Sequence, residues 1–102
     1  MSEFNANDYS STMFLELIIE LKEEEIDFDV SYDYFNATKS KIYVNNYNSE
    51  GGNSVIISLS GRLYHIVQMR HMPLGSDLPP EEIKSIYCSE TRDAIDFIKK
   101  FK

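Results

Sequence analysis

Two histidines and one cysteine are the residues of this 102-residue chain with ordinary nucleophile, base or soft-metal chemistry: His65, His71 and Cys88. They stand in neither a Cys-x-x-Cys nor a His-Glu-x-x-His spacing, so a zinc site has no support. A thiolate–imidazole pair from Cys88 and His65 would need a tertiary proximity that spacing does not supply. The expected roles are plain: His65 a packing residue on the side of Leu63, Val67 and Met69, and Cys88 a small inert side chain. Asp27-Phe28-Asp29 has the opening of a calcium loop, but the central glycine and the closing bidentate glutamate are missing. Paired acids for glycoside cleavage line a substrate cleft, which a chain this short has little material to build. Gly51-Gly52 lies in a polar stretch and opens no helix, so it is not a phosphate loop. We assign no catalytic, metal-binding or cofactor-binding residue and expect no enzyme activity.

The acids are the feature of the chain. Glu16, Glu20, Glu23, Glu24, Glu25, Asp27, Asp29 and Asp33 are eight of its 17 acidic residues, and one base, Lys22, lies among them. Residues 1–36 carry ten acids against one base, and residues 37–102 carry seven against nine, so the net charge of −7 belongs to the N-terminal third. Such a field disfavours direct contact with nucleic acid or anionic lipid and favours basic partners. Arg62, Tyr64, His65 and Arg70 are read as a strand with charged ends, not as a nucleic-acid patch.

The elements that would position these acids follow from periodicity. Asp8, Ser10 or Ser11 can cap a helix, and Phe14, Leu17, Ile18 and Leu21 recur at helical spacing, widened by Met13, Leu15 and Ile19. The spacing predicts a helix over about 10–25. Its other face, Glu16, Glu20, Glu23 and Glu24, stacks like charges at i, i+3 and i, i+4, each pair costing roughly 0.2–0.5 kcal/mol. Acids near its C-terminal end also oppose the helix dipole. Residues 27–35 alternate, with Phe28, Val30, Tyr32 and Tyr34 on the core face and Asp27, Asp29, Ser31 and Asp33 on the other, which predicts a half-buried strand.

A turn at 36–40 and a returning strand at 41–45 would place Lys39 and Lys41 across from the aspartates. Residues 46–53 read as a polar loop, 54–60 as a third strand and 62–70 as a fourth, joined by Ser60-Gly61. Residues 71–80 read as a proline-punctuated connection, and 81–88 as a short helical turn passing into an edge strand. Ser89 would cap a last helix over about 90–101, with Ala94, Ile95, Ile98 and Phe101 as its core stripe and Asp96–Lys100 as a favourable pair.

The expected fold is α+β: one small acidic domain, residues 1–102, with an N-terminal helix, an antiparallel meander of four to five strands, and a C-terminal helix, both helices on one face of the sheet. Seven Tyr and six Phe can fill the core. No apolar run approaches the ~20 residues of a membrane helix, and the N-terminus has no signal-peptide pattern. Asn36-Ala37-Thr38 is then a chance match to a glycosylation site. A lone cysteine suits a reducing compartment, so the expectation is the cytoplasm, that of the host cell if the gene is a phage's.

Acids on one strand face recur every ~6.6–6.8 Å, and helix rows add carboxylates about one turn apart. Duplex DNA also presents a regular negative row, with a phosphate about every 3.4 Å of axis on each strand. In size and charge, though by no shared motif, the chain resembles the small acidic inhibitors that phages use against bacterial defence nucleases, including anti-CRISPR and anti-restriction proteins. That resemblance implies a non-enzymatic mimic of nucleic acid that blocks a basic groove of a nuclease or other nucleic-acid-binding protein. Glu16, Glu20, Glu23, Glu24, Asp27, Asp29 and Asp33 would carry its contacts. The alternative is an interaction module such as a toxin immunity protein or a secretion-chaperone-like subunit, anchored by the segment Met69–Leu74 and exposed tyrosines.

Overall fold

The computed structural model describes residues 6–33, 35 and 39–101, with side chains from Thr12 onward. Helix α1 (Ala6–Glu23) is followed by strands β1 (Asp29–Ser31), β2 (Lys41–Asn48), β3 (Gly51–Ser60), β4 (Leu63–His71) and β5 (Glu81–Cys88), and by helix α2 (Thr91–Lys100). The sheet is an antiparallel meander in the order β1-β2-β3-β4-β5, so every strand pairs with its neighbour in sequence. The α+β architecture expected from periodicity is the one observed.

Alternation gives the sheet two unlike faces. Ile42 pairs with Ile57 and Val44 with Val55, and Ile57 pairs in turn with Ile66. All are buried, under Met13, Phe14, Leu17 and Leu21 of α1 and Ala94, Ile95 and Ile98 of α2. The other face holds Tyr43, Ser54, Ile56, His65, Val67 and Tyr87 in neighbouring registers, and no described element lies on it.

The local expectations differ from the structure in several places. Helix α1 begins at Ala6, so Asp8, Ser10 and Ser11 lie inside it and do not cap it. Its apolar arc is narrower than Leu15 and Ile19 suggest, because both are exposed, at 59% and 54%. The strand expected over 27–35 is three residues long, and Val30, although opposite buried Ile42, is exposed at the sheet edge. It ends where Asp33 N–H turns to Ser40 Oγ (2.8 Å) and Asp33 Oδ1 accepts from Phe35 N–H (2.9 Å). Tyr34 and the turn at 36–38 lie outside the described residues.

The polar loop expected at 46–53 is mostly strand: Asn46 pairs with Asn53, Tyr47 with Gly52, and Asn48 with Gly51. Gly51 and Gly52 make this possible, with φ of 99° and 139°. A Cβ on Gly52 would stand 2.5 Å from the Asn46 carbonyl oxygen, and one on Gly51 would stand 2.6 Å from that of His71. Residues 81–88 are strand throughout, with no helical turn, because β4 offers them a full ladder interrupted by one irregularity at Gln68/Met69. The N-cap of α2 is Glu90, not Ser89, and its side chain makes no capping bond. Asp96 and Lys100 do not pair; an ion pair joins Lys99 to Glu24 instead.

Two devices hold α1 in place. Its C-terminal end closes as a Schellman motif: Ile26 N–H donates to the Leu21 carbonyl (3.0 Å) and Glu25 N–H to that of Lys22 (3.1 Å). Leu21 and Ile26, the flanking apolar pair of the motif, are both buried. Glu25 occupies the left-handed position at φ 58°, where glycine is usual. The second device is the buried Tyr64, whose hydroxyl donates to the Met13 carbonyl (2.8 Å) and lies 3.0 Å from Thr91 Oγ1. One phenol thereby links β4 to both helices.

Candidate functional site

The acids of α1 divide between two directions. Residues on the buried side fix the helix orientation, and at 100° per residue Leu15, Ile19 and Glu23 point away from the core. Glu16, Glu20 and Glu24 run along the flank facing α2. Thr91 Oγ1 donates to Glu16 Oε2 at 3.5 Å, and Lys99 Nζ stands 2.7 Å from Glu24 Oε2. Both contacts span eight residues on each helix, so α1 and α2 lie side by side and parallel. Parallel helix dipoles oppose one another, and Lys99, near the negative ends of both, offsets that as well as the Glu24 charge. The pair is partly exposed and contributes about 0–1 kcal/mol.

The strand aspartates lie elsewhere. Asp29 pairs with Tyr43, which puts it on the open face of the sheet, and its Oδ2 accepts from Asn45 Nδ2 at 3.4 Å. Asp27 is exposed in the connection between α1 and β1, and Asp33 closes its own turn. Lys41 lies opposite Ser31, on the face of the aspartate row and diagonal to Asp29. The seven candidate residues therefore form a band along α1 and around the β1 edge, not one flat array. Among them, Glu20, Glu23 and Asp27 make no ion pair with any described residue.

The classical reactive groups are kept apart by the sheet. His65 pairs with Tyr87 and Tyr64 with Cys88, so His65 is on the open face and Cys88 on the helix-covered one. They cannot form a nucleophile–base pair. Burial pushes the Cys88 thiol above its ordinary range, and the nearby Asp93 carboxylate adds to that shift. Both effects disfavour the thiolate that nucleophilic chemistry needs.

Each histidine instead belongs to a small polar set on the open face. His71 Nε2 lies 2.6 Å from Ser54 Oγ, and its ring stacks on Tyr47 at 3.7 Å across Gly52. His65 Nε2 lies 2.9 Å from Ser85 Oγ, and its ring stacks on Tyr87 at 4.3 Å. Ser54 is only 3% exposed, so its hydroxyl is closed to a substrate carbonyl. Sequence reading missed these sets because they form across strands; the shared parity of 65 and 71 on one strand was their only local sign.

At the same end of the sheet, an open depression of about 460 Å³ lies between the β2–β3 hairpin and the β4–β5 connection, lined by Tyr47, His71, Met72, Pro73, Leu74 and Leu78 among others. The Ser49 carbonyl fixes that connection by accepting from Leu74 N–H at 2.7 Å. Among the described residues, no group of three or more His, Cys, Asp or Glu could hold a metal ion, and no helix is long and apolar enough to cross a membrane. No family model, no curated protein and no solved structure matches this chain.

Proposed function

We propose that this protein is a non-enzymatic acidic binder whose target is a basic groove of a nucleic-acid-handling protein, in the manner of an inhibitor that takes the place of nucleic acid. The observation that carries the reading is the outward arc of α1 with its neighbouring connection. Glu20 on the flank of α1, Glu23 on its outward side and Asp27 in the connection that follows are held on folded backbone without ion-pair partners among the described residues, and Leu15 and Ile19 of the same helix are exposed. Unpaired carboxylates with exposed apolar side chains suit a protein partner better than solvation alone requires. Glu16 and Glu24 support the arc from its flank, where Thr91 and Lys99 hold them. Asp29 and Asp33 extend the negative band around the β1 edge.

The test is capture from a lysate of the source cells with the wild-type chain and with the triple variant Glu20→Lys, Glu23→Lys, Asp27→Lys. The expected result is a nucleic-acid-handling protein retained by wild type at low salt, released by duplex DNA or higher salt, and not retained by the variant. Equal retention by a folded variant would refute the reading. A second reading is an interaction module of another kind, anchored at the depression beside His71. The almost complete exposure of Leu74 (85%) favours it, and a partner insensitive to salt would select it.

A further inference from the structure

The open face of the sheet differs in kind from the rest of the surface. Its centre is Tyr43, Ile56, His65, Val67, Met69 and Tyr87, contributed by β2, β3, β4 and β5 in adjoining registers. No Asp, Glu, Lys or Arg stands among them. The charged positions of this face, Asp29 and Lys41 on one side and Glu82 on the other, are at its rim. Tyr87 is 58% exposed, and the remaining central side chains are half-buried only by one another. An antiparallel sheet tolerates water on one face, but that face is then normally polar. Here it carries Ile, Val, Met and aromatic rings.

We infer that this face is the contact surface between two copies of this chain. Three observations select a second copy. The first is charge: the protein is net −7, yet the acids of both helices lie on the covered side of the sheet, and on the open face Asp29 and Glu82 stand only at the rim. Two copies meeting by their open faces would keep the helix layers outermost, roughly 30 Å apart, well beyond the ~8 Å screening length. The second is self-complementarity. The face offers hydroxyl donors (Tyr43, Tyr87) and acceptors (Asn45, Ser58) together, so a two-fold arrangement can pair each with the other copy. The third is area. Four long strands about 4.8 Å apart and about 27 Å long, with the short β1 at their edge, give a footprint of roughly 500 Å² per copy, hence about 1,000 Å² for the pair, the lower bound for specific association. The dimer is therefore weak, with dissociation in the micromolar range. It leaves the outward arc of α1 free and does not depend on what that arc binds.

Sedimentation velocity of the full chain from about 5 to about 300 µM, a range that brackets an interface of this size, tests the inference. The expected result is a reversible monomer–dimer equilibrium for wild type. Val67→Asp and Tyr87→Arg each place a charge on the face and should weaken it at least about tenfold. Ile19→Asp, on α1, should leave it unchanged. Circular dichroism reports whether each variant folds; Tyr87 is exposed, so Tyr87→Arg decides the matter if Val67→Asp does not fold. A wild type that remains monomeric over the whole range overturns the inference. So does a dimer that survives in folded Tyr87→Arg, or one lost in Ile19→Asp.

Discussion

The phenolic hydroxyl of Tyr64 donates to the main-chain carbonyl of Met13 at 2.8 Å, fifty-one residues away in sequence. That carbonyl lies in the middle of α1, and Thr91, the first residue of α2, touches the same oxygen of Tyr64. Tyr64→Phe keeps the ring and removes the hydroxyl that addresses both helices. The expected loss is about 1–2 kcal/mol by denaturant titration, with a double-mutant coupling to Thr91→Val of about 0.5 kcal/mol or more. If the two variants are strictly additive, the hydroxyl does not join the helices energetically.

Two residues with positive φ give changes of opposite sign. Glu25, at φ 58°, is a side-chain-bearing residue in the left-handed closing position of α1, and it adds a negative charge at a helix C-terminus. Glu25→Gly should stabilise by about 0.5–1 kcal/mol. Gly52 has φ 139° and no room, since a Cβ would meet Asn46 O at 2.5 Å and Tyr47 Cα at 2.7 Å, all backbone. Gly52→Ala should cost about 2 kcal/mol or more and should separate the Tyr47 and His71 rings, which NMR ring-current shifts would report. An unchanged unfolding midpoint for Gly52→Ala would contradict this geometry.

Cys88 should make stability pH-dependent on the alkaline side. Its thiol is raised in the folded state by burial and by Asp93, so the folded chain holds the proton after the unfolded chain, with an ordinary thiol near about 8.5, has released it. The contribution is complete below that value and declines as pH rises towards the folded-state value. Urea midpoints between about pH 7 and 10 should fall more steeply for wild type than for Cys88→Ala. Alkylation of the native thiol near pH 8 should be slower than in the unfolded chain. Parallel pH slopes would show that Cys88 titrates alike in both states.

The sheet is the part of this fold most legible in the sequence. The alternation of Val55, Ile57 and Leu59, and the Ser60-Gly61 turn into the fourth strand, specify hairpin pairing through local signals alone. Residues 46–53 were misread because Asn, Gly and Ser mark turns by composition, whereas here two glycines permit a close strand approach. The acidic row on α1 was legible as a row, but its partners were not. Thr91 lies 75 residues from Glu16, and no local pattern announces that α2 runs parallel beside α1. Leu15 and Ile19 look like core because an apolar residue carries no mark of the direction it faces. The division of His65 and Cys88 between opposite faces follows from the register of β4 with β5, which only the structure supplies.

The meander and the side-by-side helices have a consequence for synthesis. Each strand pairs with the one made just before it, so the sheet can grow in the order in which it leaves the ribosome. The contact of α1 with α2 cannot. Sixty-seven residues separate Glu23 from Thr91, and at about 5–20 residues per second the first helix waits roughly 3–13 s for its neighbour. During that interval Glu16 and Glu24 lack Thr91 and Lys99, and the nascent chain carries its most concentrated negative charge before the lysines near Phe101 have been made. The clasp between Glu24 and Lys99 is thus among the last contacts to close.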